Sequence, residues 1–200
     1  MNTSMRVVEK NSGAFVIEHF LTPAMCQHYI ALGEEAGYVP SEVNFSDGSR
    51  RAEEIRNNDR VIFDDAALAV SLFEQARALL PATIGDWALS GFNERFRFYR
   101  YGPKEYFKWH TDGVYARSPD EASRLTFMIY LNGDFEGGDT EFKTELIKPQ
   151  QGAALVFPHK LPHQGTEVID GLKYVLRTDV MYRRAESRLP AADESTESQT

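Results

Sequence analysis

The stretch RLTFMIYLNGDFEGGDTEF, residues 124–142, indicates the fold class. Its first part is an apolar run of β-branched and aromatic residues, which is typical of a buried strand. Asn132 and Gly133 end this run with turn chemistry, and Gly137 and Gly138 supply a second turn. Other short strands lie before and after this stretch at spacings typical of a β-sandwich or jelly roll. They are predicted over residues 93–101, 106–112, 140–142, 153–157 and 172–182.

The part of the chain before residue 88 predicts one strand, over residues 13–20, and two helices. Thr22 is a good N-cap in front of Pro23, and Gly37 is a natural residue to end this first helix. The second helix begins after Asp64 or Asp65 and runs to residue 80, with its leucines at helical spacing. We expect both helices to pack on one outer face of the β core.

Two segments are predicted to lack regular structure. Residues 41–58 (SEVNFSDGSRRAEEIRNN) are polar and charged without a clear period, so they predict a long loop. Loops of that length are often functional, and our hypothesis is that this one is a lid or contacts the substrate. Residues 185–200 carry four acids against one arginine and predict a disordered acidic tail. The expected division is a support region over 1–88, a core over 89–184 of the same domain, and the tail.

The composition excludes several kinds of site. Cys26 is the sole cysteine, so there can be no intramolecular disulfide and no cysteine-rich zinc site. The net charge of −8 argues against a nucleic-acid binder that relies on a generally basic surface. We find neither a signal-peptide pattern nor an apolar run long enough to span a membrane, so the expected location is the cytoplasm. A bound metal would have to be held by carboxylates and the five histidines.

The pattern His110-Thr111-Asp112 is the first candidate for chemistry. Residues i and i+2 of a strand point to the same face, so this histidine and this carboxylate could bind one ion. With His163 they would form the facial triad typical of non-haem Fe(II) sites. The histidine–aspartate pattern alone is weak evidence for a metal site. Here it lies between predicted strands and is followed later in the chain by a histidine and then a basic residue, which strengthens the case.

That basic residue is Lys173, ten positions after His163. By the period of two, it shares one strand face with Val175, Arg177 and Asp179. A polar face of this kind beside a metal site is suited to binding a dicarboxylate.

Residues 101–184 resemble the catalytic domain of 2-oxoglutarate- and Fe(II)-dependent dioxygenases, within them the prolyl 4-hydroxylase-like group. The matching runs are YGPKEYFKWHTD (101–112), RLTFMIYLN followed by FEGGDTEF (124–142), GAALVFPHKLPHQG (152–165) and GLKYVLRTDVMY (171–182). They keep the order and spacing of the family's motifs over about half the chain. The implied fold is α+β, a double-stranded β-helix (jelly roll) core with the N-terminal helices on one face.

The resemblance also implies roles for single residues. The positions that match the family's iron ligands are His110, Asp112 and His163. His159 is the other candidate for the second histidine ligand, but His163 has the family's spacing to Lys173. Lys173 and Tyr130 are implied to contact the far carboxylate of 2-oxoglutarate. Tyr101 is implied to be a pocket tyrosine. Arg177 could bind either the cosubstrate or the substrate. The implied reaction hydroxylates a C–H bond with Fe(II), 2-oxoglutarate and O₂ and releases succinate and CO₂; ascorbate is a further candidate cofactor.

Three other functions remain open at this point. A cupin-type metal-binding protein without oxygenase activity would need no carboxylate anchor, so Lys173 and Tyr130 argue against it. A nucleic-acid demethylase of the same superfamily would need a local basic patch, for which the chain offers Arg50, Arg51, Arg95, Arg97 and Arg100. The third is a pseudo-enzyme used as an interaction domain, which the intact ligand set disfavours. The sequence leaves open both the oligomeric state and the substrate, which could be a prolyl peptide, a protein loop or a small molecule.

Overall fold

A computed structural model of the chain describes residues 4–45 and 47–184, so the predicted tail at 185–200 lies outside the described residues. The helices are α1 (Pro23–Ala36), α2 (Ala66–Ala76) and a short 3₁₀ helix (Arg77–Leu79). The strands are β1 Arg6–Glu9, β2 Phe15–Glu18, β3 Val39–Pro40, β4 Val43–Phe45, β5 Gly48–Arg50, β6 Asp59–Asp64, β7 Thr83–Ile84, β8 Trp87–Phe92, β9 Arg95–Tyr101, β10 Phe107–His110, β11 Ala116–Ser118, β12 Glu121–Tyr130, β13 Glu136–Gly137, β14 Thr140–Phe142, β15 Leu146–Ile147, β16 Ala154–Pro158, β17 His163–Gly165, β18 Val168–Asp170 and β19 Lys173–Arg184.

Most of these strands form one large antiparallel sheet. Its order is β1-β2-β16-β12-β19-β9-β6-β3, with β8 also paired to β19, β7 to β8, and β11 to β12. A smaller sheet has the order β10-β17-β14-β15, and two separate two-stranded sheets, β13 with β18 and β4 with β5, complete the described strands. The two sheets pack face to face, which is the jelly-roll type of architecture that the sequence predicts.

The centre of the large sheet is formed by β12 and β19, the two longest strands. Both are buried along nearly their whole length because each of their faces is covered. One face of the large sheet, with Phe127 and Leu176, belongs to the same hydrophobic cluster as Cys26 of α1 and Leu72 of α2. The other face carries Tyr130, Val175 and Leu155 and packs against Phe142 of the small sheet. The apolar run at 125–131 is therefore buried on both sides.

The helix ends follow the predicted capping residues. Thr22 Oγ1 accepts a hydrogen bond from Met25 N at 3.2 Å, and the Gly37 N–H donates to carbonyls of the last turn of α1. Asp65 is the cap of α2, with its side chain accepting from Leu68 N at 2.9 Å. The last turn of the predicted second helix is 3₁₀ rather than α-helical. In the described residues no helix is both long and apolar enough to cross a membrane.

The prediction of an unstructured loop at 41–58 was wrong in part. β4 and β5 form a hairpin inside it, with Val43 opposite Arg50. The hairpin is stabilised locally because the Arg50 guanidinium lies 3.7 Å from the centroid of the Phe45 ring and pairs with Asp47 at 2.7 Å. A polar composition without a period concealed these two short strands. Another strand that the sequence did not reveal, β6, follows the loop and pairs with β9.

Gly152 allows a close approach between the segment that leads into α1 and the large sheet, and this gives a stability prediction. Its φ is +79°, and an added Cβ would lie 2.2 Å from the carbonyl oxygen of Leu21. The backbone cannot easily move, because Leu21 N donates to Gly152 O at 2.9 Å. Gly152→Ala should therefore lower the free energy of unfolding by clearly more than the roughly 1–2 kcal/mol that a left-handed alanine costs.

Gly13→Ala is the matched control, because Gly13 has a φ of +84° but no described atom lies within 4 Å of its added Cβ. Urea unfolding of the two variants separates backbone strain from steric conflict. If Gly152→Ala and Gly13→Ala lower the free energy of unfolding equally, the predicted steric conflict with Leu21 is contradicted.

Candidate metal centre

Three candidate ligands converge where β10 pairs with β17. The two strands are antiparallel, and His110 lies directly opposite His163 in their register. Asp112 follows β10 by two residues. The ligand atoms of the three side chains all lie within 4.8 Å of one another. His110 Nε2 is 3.8 Å from Asp112 Oδ1, and His163 Nε2 is 3.9 Å from Asp112 Oδ2.

Both histidines present the same nitrogen to this point. His110 Nδ1 lies 2.7 Å from the carbonyl oxygen of Lys108, and His163 Nδ1 lies 2.9 Å from that of Leu161. A carbonyl oxygen can only accept, so each Nδ1 carries the proton and each Nε2 offers its lone pair. Burial lowers the pKa of His110 to about 4 and lowers that of His163 as well. Both imidazoles are therefore neutral at pH 7, the state that binds a metal ion.

Asp112 is held as a carboxylate in a buried position. Burial by itself would raise its pKa, but the nearby charge of Arg177, the neighbouring His163 and a hydrogen bond from Thr126 outweigh burial and lower the pKa to about 2. The Asp112 backbone N–H also donates to His159 O at 2.8 Å, which fixes the chain just after β10. The side chain is therefore ionised at neutral pH.

Arg177 forms an ion pair with a candidate metal ligand. Its Nη1 is 3.0 Å from Asp112 Oδ1, and its Nη2 is 3.3 Å from Asp179 Oδ1. Burial alone would lower its pKa, but Asp112, Tyr99 and Asp179 raise it, so the guanidinium stays charged. The structure thus places Arg177 beside the metal cluster. Its role as a direct contact of the cosubstrate stays a prediction.

His159 lies outside the cluster and is tied to other side chains. Its Nδ1 is 2.9 Å from Thr126 Oγ1, and its Nε2 is 2.8 Å from Ser123 Oγ. Thr126 Oγ1 in turn donates to Asp112 Oδ2. His159 therefore supports the threonine that holds the carboxylate, and the structure brings His163, the favoured candidate, into the cluster instead.

Lys173 is a buried cation whose hydrogen-bond partner is a backbone carbonyl. It is 4% exposed, and its Nζ donates to the carbonyl oxygen of Gly138 at 2.5 Å. Burial lowers its pKa to about 8, partly offset by Asp139. Within residues 4–45 and 47–184, no carboxylate oxygen lies within 4.0 Å of this Nζ. An unpaired buried ammonium is costly, so the site suits the carboxylate of a bound ligand.

A single cavity between the two sheets joins the metal cluster to Lys173. Tyr101 lines it, as predicted for a pocket tyrosine, whereas Tyr130 does not. The Tyr130 hydroxyl is instead 2.7 Å from Thr140 Oγ1, and it is Thr140 that reaches the cavity. The remaining lining residues are Tyr99, Phe107, His110, Asp112, Thr126, Met128, Phe157, His163, Gly165, Lys173, Val175 and Arg177.

Several of these lining residues were missed by sequence reasoning. Tyr99 lies two residues before Tyr101 on β9, and Thr126 and Met128 precede Tyr130 by steps of two on β12. The same period that grouped Lys173 with its strand neighbours could have found them. Thr140 gave no comparable signal, because its strand has only three residues.

The donor set matches a divalent iron ion. Two neutral imidazoles and one carboxylate on one side of a buried point are the facial arrangement of non-haem Fe(II), with the remaining coordination positions left open. His110, Asp112 and His163 would hold the ion. Lys173 lies in the same cavity, where its ammonium could meet a carboxylate of a ligand bound to that ion.

Comparisons with known proteins point to one superfamily. A family model described as the 2OG-Fe(II) oxygenase superfamily matches residues 96–178. Prolyl 4-hydroxylase 1 of Arabidopsis thaliana is 23% identical over 203 residues, which cover 86% of this chain and 70% of that protein.

Two solved structures share the fold. The viral collagen prolyl hydroxylase of Paramecium Bursaria Chlorella virus-1, solved with 2OG, has a TM-score of 0.62 at 23% identity and covers 85% of this chain and 96% of that one. A Trichoplax adhaerens prolyl hydroxylase, solved with a hypoxia inducible factor peptide fragment, has a TM-score of 0.63 at 16% identity and covers 87% and 84%.

The lowered histidine pKa values predict how stability depends on pH when no metal is bound. His110 has a pKa of about 4 in the folded chain against 6.5 for an unperturbed histidine, so the unfolded chain binds more protons between these values. The free energy of unfolding should therefore fall as the pH is lowered from about 6.5 towards 4. In His110→Asn this slope should be smaller, because one such group is gone. Urea unfolding in EDTA across this pH range measures the slope. An unchanged slope in His110→Asn would contradict a lowered pKa of His110 in the folded chain.

Proposed function

We propose that this chain is a prolyl hydroxylase-like member of the 2OG-Fe(II) oxygenase superfamily, in which His110, Asp112 and His163 form the iron site. Lys173 then anchors 2-oxoglutarate through the carboxylate far from the iron. The observation that carries this proposal is the placement of an unpaired, buried ammonium in the same cavity as three convergent metal ligands.

The protein groups have separate tasks in the reaction. When bound, Fe(II) together with 2-oxoglutarate and O₂ supplies the oxidising chemistry, which ends in a hydroxylated substrate, succinate and CO₂. The backbone carbonyls of Lys108 and Leu161 orient the two imidazoles, and Thr126 orients the carboxylate. The Phe107 ring stacks on the His110 ring with centroids 3.5 Å apart, which further fixes that ligand and shields it from water.

Lys173 and Thr140 are the proposed contacts of the far carboxylate. Thr140 lines the cavity, and its hydroxyl is held by Tyr130, so Tyr130 supports the cosubstrate site through Thr140. Tyr101 contributes an aromatic wall, since Lys173 Nζ lies 5.2 Å from its ring centroid. Arg177 acts from the other end of the cavity, where it keeps Asp112 ionised and in place.

Two of the three rival functions, the cupin-type protein and the nucleic-acid demethylase, are not favoured. A cupin-type protein without a dicarboxylate cosubstrate would have no use for the buried Lys173. The basic patch needed by a nucleic-acid demethylase is largely neutralised, because its arginines are engaged by acids. The pairs are Arg50–Asp47, Arg51–Glu53, Arg95–Asp64, Arg97–Asp179, and Arg100 with Glu34 and Asp59.

The proposal also includes finer assignments. The names of the relatives support a prolyl residue of a peptide or protein loop as substrate, with a small molecule as the alternative. The shared hydrophobic cluster of α1 and α2 supports the placement of both helices on one face of the large sheet. Ascorbate as a reductant is carried over from the resemblance, and a cytoplasmic location stays a prediction from the sequence. The division of the chain at residue 88 remains a proposal, since β1, β2, β3 and β6 all join the large sheet.

The anchoring role of Lys173 can be tested without O₂. With Mn(II) in place of iron, 2-oxoglutarate should raise the melting temperature of the protein, because a ligand that binds only the folded state stabilises it. In Lys173→Met, 2-oxoglutarate should bind about 10- to 100-fold more weakly, since a charge-assisted hydrogen bond is lost. Mn(II) binding should be retained. Lys104→Met, at an exposed lysine, is the control and should match the wild type. No shift at millimolar 2-oxoglutarate in the wild type would overturn the proposed function.

Turnover tests the metal ligands. His110→Ala should abolish succinate formation from 2-oxoglutarate, because the ion loses one of three protein ligands. Succinate release is measured in an aerobic assay with Fe(II), and products that gain 16 Da are sought by mass spectrometry in peptide and metabolite pools. Full activity in His110→Ala would refute the iron site.

A further inference from the structure

Arg56 carries a buried guanidinium beside the cavity. The proposed reaction gives this residue no role. It is 5% exposed, although it lies in the polar segment 41–58. Its Nε donates to Asn58 Oδ1 at 2.9 Å, while its Nη2 is buried without a hydrogen-bond partner among the described residues. A guanidinium carries five N–H donors, so this side chain still has donors available for a ligand.

The backbone directs Arg56 towards the metal centre. It forms an isolated antiparallel bridge with Phe107, and Lys108 N donates to Ile55 O at 2.9 Å, so this segment continues the small sheet beyond β10. Residues opposite each other in an antiparallel pair project to the same face. Phe107 lines the cavity, so Arg56 lies on the same face of this pair, next to the lining rings rather than among the lining residues themselves.

The contacts of Arg56 agree with this direction. Its guanidinium carbon lies 4.1 Å from the Phe107 ring centroid and 4.9 Å from that of Tyr99, and both rings line the cavity. The Phe107 ring also stacks on His110. A single aromatic ring therefore connects this guanidinium to a proposed iron ligand.

Charge distinguishes Arg56 from the neighbouring arginines. Arg60 pairs with Glu42 at 3.4 Å, Arg97 with Asp179 at 3.6 Å, and Arg177 with Asp112 at 3.0 Å. Within the described ranges no carboxylate lies within 4.0 Å of the Arg56 nitrogens. The cosubstrate cannot supply the missing charge, because its far carboxylate meets Lys173 and its other end binds the iron. A buried, unpaired cation is costly, so an anion from another molecule is expected.

We propose that Arg56 binds a carboxylate of the hydroxylation substrate, which makes the substrate an acid or a peptide with an acidic group close to the hydroxylated carbon. This inference rests on the proposed function, because it places the substrate over the same iron site. The planar fork of the guanidinium suits a carboxylate, which it can bind through two parallel hydrogen bonds. Its packing against Phe107 and Tyr99 holds the fork in place before the substrate arrives.

The test uses the full chain loaded with Mn(II) and 2-oxoglutarate under nitrogen, so that the cosubstrate site is filled. The probes are pairs that differ only in charge: N-acetyl-L-proline against N-acetyl-L-prolinamide, and a short peptide with aspartate beside proline against the same peptide with asparagine. The melting temperature as a function of probe concentration gives each affinity. The charged member of at least one pair should bind about tenfold or more tightly than its neutral partner. The first pair reports a free acid, and the second reports an acidic residue in a peptide.

Arg56→Gln should remove this preference for the charged probe. Arg95→Gln is the matched control, because Arg95 is an arginine of β9 that pairs with Asp64 at an exposed position, and it should keep the preference. Arg56→Lys retains the charge without the fork and should show a reduced preference. The shift produced by 2-oxoglutarate shows for each variant that the fold and the cosubstrate site are intact.

The outcomes separate the two proposals. If 2-oxoglutarate does not raise the melting temperature of the wild type, the proposed function is overturned, and this inference with it. If 2-oxoglutarate raises the melting temperature but the charged and neutral members of each probe pair bind equally well, only the role of Arg56 is overturned. A preference for the charged probe that survives in Arg56→Gln would overturn that role as well.

Discussion

The pairing register between β10 and β17 is the constraint on which the site depends. It sets His110 directly opposite His163, and each of these strands has only three or four residues. Because side chains alternate along a strand, a slip by one residue would turn one histidine away from the other. The register is held from both sides, since β17 also pairs with β14 and the segment around Arg56 pairs with the start of β10. The metal ligands are thus positioned by backbone pairing across a sheet.

The charges in the cavity follow from this arrangement. Asp112 stays ionised inside the protein because Arg177 and the hydroxyl of Thr126 compensate for its burial. Lys173 and Arg56 have no carboxylate partner among the described residues; Lys173 lines the cavity, and Arg56 packs against two of the rings that line it. A protein tolerates a buried cation when a ligand supplies the opposite charge. The two unpaired cations therefore correspond to two anionic groups, one from the cosubstrate and one from the substrate.

The sequence predicted those parts of the molecule in which local pattern and tertiary structure agree. The run at 125–131 was recognisable as a buried strand because its residues suit a strand on both faces, and Thr22 was recognisable as a cap. The metal cluster could be predicted because His110 and Asp112 are only two residues apart, at the end of β10 and just after it, and because His163 has the family's spacing to Lys173. The site of Lys173 followed from the same period of two.

Other features could not be predicted because they arise only between segments that are distant in sequence. The ion pair between Arg177 and Asp112 joins residues 65 positions apart, and no local pattern indicates which of several acids an arginine will meet. Tyr130 was assigned to the cosubstrate site, yet the neighbouring strand places Thr140 between its hydroxyl and the cavity. In the 41–58 segment, the cross-strand contact of Arg50 with Phe45 stabilises a hairpin that composition alone did not indicate.

The same segment shows how recognition and catalysis are connected. Its end adds to the small sheet beside β10, so the backbone that presents Arg56 is hydrogen-bonded to the strand that presents His110. A substrate held by Arg56 is therefore positioned relative to the iron by one continuous sheet. Movement of the hairpin β4–β5 need not disturb this contact, because the pairing with β10 begins after the hairpin ends. The hypothesis that residues 41–58 form a lid stays a prediction, and the last residues of the segment are held to β10 by backbone pairing.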